Sequence, residues 1–212
     1  MSDLYDAVLN GDAKAAAEAT RKALEGGAAA LELVQREMVP AMDEVGRRFE
    51  CEDYFVPELL LSARAMKAAL ALIRPLLTAS GAQPAGRVVI GTVKGDLHDI
   101  GKNIVASMLE GGGFEVIDLG ADVTPQKFVD AVRDRHANLV CLSALLTVTM
   151  TSMKVTIDAL AAAGLRQQIK VMVGGAPVTQ RFADEIGADG YGENAPSAVA
   201  LARKLVAASE PS

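Results

Sequence analysis

The sequence predicts an α/β protein in two parts: a bundle of four helices, then a doubly wound sheet of five parallel strands. Three observations lead there. Through the first 80 residues apolar side chains recur every three or four positions, the spacing of one helical face. A small, polar stretch, TASGAQPAG at 78–86, interrupts that period. Beyond it, short runs rich in β-branched residues alternate with helix-length patterns, and no hairpin turn joins them.

In chain order, DLYDAVLN and AKAAAEATRKAL predict two short helices, separated by Gly11-Asp12 and closed by Gly26-Gly27. A third covers 31–49, where Leu31, Val34, Met38, Met42, Val45 and Phe49 share a face. A fourth begins at Pro57, a residue suited to a first turn because no amide donor is needed there, and continues through Leu59, Ala63, Met66, Leu70, Ile73 and Leu77. These helices define an expected domain at 1–80, followed by a linker at 81–86. The second domain, 87–212, carries strands at 87–93, 114–120, 138–145 and 169–175, with a weaker fifth at 189–193. Thr124-Pro125 is a capping and first-turn pair for the helix after the second strand. In sheets of this kind ligands sit beyond the carboxyl ends of the strands, so the loops starting at Thr92, Gly120, Ser143, Gly174 and Gly192 are the functional surface.

Composition narrows the chemistry. Half of the 212 residues are apolar, enough for a substantial core. A net charge of -6 without basic runs excludes nucleic acid and anionic membranes as partners. The longest apolar run, LVCLSALLTVTM at 139–150, is too short to span a bilayer, and the N-terminus lacks a signal pattern, so a cytoplasmic protein is expected. Cys51 and Cys141 form no CxxC pair and are expected to be free thiols.

One of the two histidines, His98, lies in the first of these loops, within GTVKGDLHDIGKNIV at 91–105. The other, His136, falls at a helix end beside Arg133 and Arg135 and reads as solvated. A hydrolytic triad of Ser143, His98 and Asp96 lacks the G-x-S-x-G elbow. The loop matches neither glycine-rich nucleotide pattern. A phosphorylation receiver would need an acid ending the third strand and a lysine ending the fifth, where Ser143 and Gly192 stand. Asp96, two residues before His98, is near enough to accept one imidazole N–H, which fixes the tautomer and leaves the other nitrogen free to bind a metal. Zinc or iron would need further protein ligands. A single histidine suits an ion whose other positions are filled by a macrocycle, heme or a corrin, and the residues alone do not choose between them. Lys94 and Lys102 are either solvated or directed at phosphate or amide groups of such a ligand.

With these residues in view the sequence resembles the cobalamin-binding corrinoid proteins of methyltransferase systems and the matching module of cobalamin-dependent methionine synthase. The D-x-H-x-x-G motif stands as Asp96, His98 and Gly101; the S-x-L motif as Ser143 and Leu145, followed by Thr147; the Gly-Gly motif as Gly174 and Gly175. The helical part, through VGRRFECEDYFVPELLLSARAMKAAL, resembles the family's cap domain. The resemblance implies a helical cap and a Rossmann- or flavodoxin-like sheet that bind cobalamin, methylcobalamin or a related corrinoid. It also implies that His98 is the lower axial ligand of cobalt, with the cofactor's own base displaced into the sheet domain. Asp96 and Ser143 would form a hydrogen-bonded relay with His98. Leu97, Asp99, Ile100, Gly101 and Leu145 would lie against the cofactor, while Thr147, Gly174, Gly175 and Ala195 would line the slot for its nucleotide tail. Phe49, Phe55, Val56 and Leu59 would offer apolar groups to the upper face. The glutamate that methionine synthase brings to that face aligns with Gln35, with Glu37 nearby, and Cys51 lies in the same turn as the cap residues.

The function so implied is that of a methyl carrier, not an enzyme on its own, cycling between cobalt(I) and methyl-cobalt(III). A donor-specific methyltransferase would load the methyl from methanol, a methylamine, a betaine or an aryl methyl ether. An acceptor methyltransferase would pass it to tetrahydrofolate or a thiol, and a reductive activase would restore the cofactor. The alternative is a cobalamin-dependent sensor without methyl transfer.

Overall fold

The computed structural model describes residues 2–81 and 83–208. Met1, Ala82 of the expected linker and positions 209–212 of the expected second domain lie outside them. The chain divides into two compact units. One comprises residues up to Pro84 with Ser107–Gly113, and the other Ala85–Ala106 with the chain from Phe114 on.

The helical unit contains α1 (Asp3–Leu9), α2 (Ala13–Glu25), α3 (Ala30–Leu33), α4 (Val39–Glu50) and α5 (Val56–Ser80). Ser2 and Asp12 cap α1 and α2 with their side-chain oxygens. The single helix expected at 31–49 is divided: a π-helical turn, Val34–Met38, joins α3 to α4, and the Val39 amide reaches back to the Val34 carbonyl. The widened turn directly precedes Pro40, which has no N–H with which to continue the ordinary ladder. Leu4, Val8, Met38, Met42, Val45, Leu59, Met66 and Ile73 make the core of this unit. The Tyr54 and Ser62 hydroxyls both donate to the Leu9 carbonyl, at 3.3 and 3.1 Å.

The second unit alternates strand and helix: β1 (Arg87–Thr92), α6 (Ile100–Gly111), β2 (Glu115–Asp118), α7 (Pro125–Arg135), β3 (Leu139–Ser143), α8 (Thr151–Ala162), β4 (Lys170–Gly174), α9 (Gln180–Ile186), β5 (Gly190–Gly192) and α10 (Ala195–Ala207). Thr124 caps α7 as expected, and His136 ends it in the left-handed conformation, exposed. Among the described residues the five strands are all parallel, in the order β2-β1-β3-β4-β5. Val89, Val140, Leu142, Val171 and Val173 pack with Phe128, Met153, Ile157 and Leu160 in one apolar layer.

Two features of this sheet place the functional loops. The strand order reverses direction between β1 and β3, which opens a crevice at their carboxyl ends. The register then aligns those ends, with Thr92 paired to Ser143, Ser143 to Gly174 and Gly174 to Gly192. Among the described residues no helix is long and apolar enough to cross a membrane.

Candidate cofactor site

The site is built where the loops after β1 and β3 meet. Gly95, with φ at +87°, turns the first loop, and its amide donates to Asp122 Oδ1 at 2.8 Å. The Asp122 amide in turn donates to the Asp96 carbonyl at 2.9 Å. The Gly95 amide and the Lys94 ammonium together hold the Asp122 carboxyl below its usual pKa. Lys94 is therefore a surface ion-pair partner of Asp122, at 2.9 Å.

Asp96 is fully buried, and its carboxylate accepts from five donors. Oδ1 takes the His98 amide at 3.0 Å and His98 Nδ1 at 2.7 Å. Oδ2 takes the amides of Leu145 and Leu146 at 2.8 and 3.2 Å and the Thr149 hydroxyl at 2.7 Å. Burial by itself raises the Asp96 carboxyl, but the Thr149 hydroxyl, the Leu145 and His98 amides and the His98 ring outweigh it and hold the group well below the usual carboxylate range. An ionised carboxylate only accepts hydrogen bonds, so Nδ1 carries a proton, and in the neutral tautomer Nε2 is the nitrogen with the free lone pair. The His98 side chain is half exposed.

The hydroxyl on Asp96 is thus Thr149's, and this corrects the relay expected through Ser143. Among the described residues no hydrogen bond joins the Ser143 side chain to Asp96. Ser143 is the last residue of β3, level with Thr92 and Gly174. Thr149, six positions on, is brought back by the turn in which its own amide donates to the Leu146 carbonyl at 3.0 Å. Of the two alternatives for Lys102, solvation fails: its side chain is 1 % exposed and paired with the Asp118 carboxylate at the end of β2.

Around His98 the surface is apolar. Leu97, Ile100 and Val148 are 76, 77 and 77 % exposed, with Leu145 and Leu146 also exposed. Leaving three such side chains in water forgoes about 1.5–3 kcal/mol each, a deficit that a flat apolar ligand would remove. Asp99 is half-buried and Thr147 exposed. A Cβ added at Gly101 would meet no atom of the protein within 4 Å, so intramolecular packing gives no reason for glycine there.

The Gly-Gly turn is different. Gly175 has φ at +131°, and a Cβ there would lie 1.9 Å from the Ala144 carbonyl oxygen. A Cβ at Gly174 would lie 3.0 Å from the Gly192 carbonyl oxygen. These glycines let the ends of β3, β4 and β5 approach one another closely. Ala195, buried, opens α10 beside them.

In the helical unit Phe49 is half-buried, Phe55 and Val56 are exposed and Leu59 is 1 % exposed in the core. Gln35 is exposed, while Glu37 accepts from the Ser2 hydroxyl. Cys51 is exposed, and Cys141 is a buried strand thiol whose pKa burial pushes up to about 12.

Among the described residues no cluster of three or more histidine, cysteine or acidic side chains could hold a metal ion. One oriented imidazole on an apolar platform fits a metal whose remaining ligands arrive with an organic ring, and a corrinoid meets that description.

Comparison with known proteins agrees with the geometry. The B12 binding domain family matches residues 86–200, and a second family of the same description matches residues 2–74. The chain is 43% identical over 203 residues to the trimethylamine corrinoid protein 1 of Methanosarcina acetivorans, covering 95% of this chain and 94% of that one. A crystal structure of a cobalamin-binding protein from Desulfitobacterium hafniense superposes with a TM-score of 0.78 at 37% identity, covering 95% of this chain and 96% of that one. A chain of the methanol:cobalamin methyltransferase complex MtaBC of Methanosarcina barkeri does so with a TM-score of 0.84 at 31% identity, covering 97% of this chain and 78% of that one. With both units matched and the relatives aligned over nearly their whole length, the chain belongs to the cobalamin-binding corrinoid proteins of methyltransferase systems.

Proposed function

We propose that this protein carries a methyl group between two methyltransferases, with His98 as the lower axial ligand of a cobalamin bound base-off. The observation that carries this reading is the Nδ1 contact of His98 with the buried Asp96 carboxylate at 2.7 Å, which fixes the ring and leaves Nε2 on the half-exposed, apolar side. Bound cobalamin supplies a cobalt centre able to take up and release a methyl group.

The protein's own residues do the rest. Asp96 holds the proton at Nδ1 and, by accepting it more strongly, makes Nε2 a better donor to metal. Thr149 and the Leu145 and Leu146 amides keep Asp96 ionised for that task. Leu97, Ile100 and Val148 provide a dry contact surface, and Gly174 and Gly175, at the closely spaced strand ends, line the slot for the displaced base. In the helical domain, taken as 1–80, Phe55 and Val56 are available to cover an apolar ligand, whereas Leu59 is committed to the core. The donor-side partner follows the relatives, a trimethylamine or methanol methyltransferase. The acceptor methyltransferase delivers to a thiol or tetrahydrofolate, and a reductive activase serves the pair.

The test is spectroscopic. Protein reconstituted with cobalamin should show a base-off, histidine-coordinated spectrum, and His98→Ala should abolish histidine coordination while retaining the fold by circular dichroism. An unchanged spectrum in His98→Ala defeats the axial-ligand assignment. Methyl transfer after reduction separates the carrier from a sensor: a bound cofactor that takes no methyl rejects the carrier.

A further inference from the structure

We infer that Thr92 is a positioning residue that sets where His98 stands, an inference that rests on reading His98 as the metal ligand. Thr92 is the last residue of β1 and is fully buried. Its hydroxyl donates to the His98 carbonyl at 2.9 Å. The rest of Thr92 is fixed by the sheet: its amide donates to the Gly120 carbonyl at 2.9 Å, its carbonyl accepts from the Val123 amide at 3.0 Å, and its Cα is level with Ser143. The hydroxyl therefore springs from a rigid point.

Among the described residues no other hydrogen bond reaches the His98 carbonyl. That carbonyl precedes α6, whose opening hydrogen bond, from the Asn103 amide at 2.8 Å, uses the Asp99 carbonyl instead. The His98 amide is already bound to Asp96 Oδ1. Thr92 and Asp96 thus pin both main-chain polar groups of His98, while the Nδ1 contact with Asp96 holds the ring. Strand formation does not require the hydroxyl, since valine has nearly the same shape and at least equal strand preference. A buried hydroxyl without a partner is costly, and here the partner is the backbone of the histidine.

Thr92→Val removes the bond and keeps the shape; Thr92→Ser keeps the hydroxyl. In cobalamin-free protein, hydrogen exchange at the His98 amide should quicken in Thr92→Val by about three- to tenfold, the range of one neutral hydrogen bond, and stay near wild type in Thr92→Ser. In cobalamin-loaded protein the pH at which half of the histidine coordination is lost should rise in Thr92→Val by about half to one unit, because weaker ligation yields earlier to protonation, and return in Thr92→Ser. Thermal denaturation identifies any general loss of fold, and Thr92→Ser then decides the matter alone. A wild-type midpoint in Thr92→Val, or a shift in Thr92→Ser as large as valine's, overturns the positioning role alone. Absence of histidine coordination in wild type overturns the ligand reading and this inference with it.

Discussion

Residues 92–98, from the end of β1, and residues 49–59, from the last turn of α4 to the first turn of α5, both present side chains outward, but polar bonds fix the first and apolar packing decides the second. In the first, each donor ends on a named acceptor: the Gly95 amide on Asp122, the Asp122 amide on the Asp96 carbonyl, the His98 amide on Asp96 and the Thr92 hydroxyl on the His98 carbonyl. In the second, Glu58 accepts the Phe55 amide at 2.9 Å to start α5, and Arg48 reaches the Tyr54 hydroxyl at 3.0 Å. Between Phe55 and Leu59 only the helical turn determines which side chain is exposed. A histidine held by directional bonds has one orientation, whereas an apolar residue four positions along can as well be core as contact surface.

That contrast can be broken at four places, in decreasing order of expected effect. Leu59→Ala should cost about 2–5 kcal/mol of stability, as for other large core side chains, measured by chemical denaturation. A cost below 1 kcal/mol would return Leu59 to the surface. Gly175→Ala should cost about 1–3 kcal/mol through the forced backbone change, and cofactor uptake should fall with it. Equal stability and uptake would mean that the turn relaxes freely.

Asp96→Asn places an amide group against the Leu145 and Leu146 amides and should cost about 1–3 kcal/mol at neutral pH. Because the folded Asp96 pKa is depressed, its contribution is complete above the ordinary carboxylate value of about 4 and is lost as pH falls toward the folded value. The gap between wild type and Asp96→Asn should therefore close on acidification, and a gap that widens there contradicts the assignment. Phe55→Ala, last, should change stability by no more than about 0.5 kcal/mol while weakening cofactor retention, read by gel filtration of the loaded protein.

The fold was legible because period and turn chemistry agreed along the chain. Four β-branched runs and a weaker fifth strand, each followed by a helix-length stretch, admit few other arrangements, and Thr124-Pro125 announced its helix. The π turn at Val34–Met38 was hidden because its apolar spacing matches that of an ordinary helix, and only Pro40 hints at a break. In the site, Asp96 and His98 were readable as a pair because two residues of loop bring them together by necessity. Their hydroxyl partner was not. LLTVTM offers Thr147 and Thr149 two apart, and which one turns inward depends on a seven-residue loop, 144–150, whose path the local pattern does not encode. The pairing of Lys102 was hidden for a related reason: its partner Asp118 comes from the next strand, and a lone lysine in sequence reads equally as solvated or as a ligand contact.

The shared level of Thr92, Ser143, Gly174 and Gly192 sets what the protein can vary. Loops leaving from one rung start from the same baseline, but the loops after β1 and β3 are tied through Asp96 to Leu145, Leu146 and Thr149, and their lengths are coupled. The strands have still less latitude. A slip of one residue in β3 would carry the Leu145 and Leu146 amides about 3.3 Å along the strand, beyond reach of Asp96, and turn every β3 side chain to the opposite face. Insertions and deletions are thus expected in loops outside that junction and not in the five strands that align them.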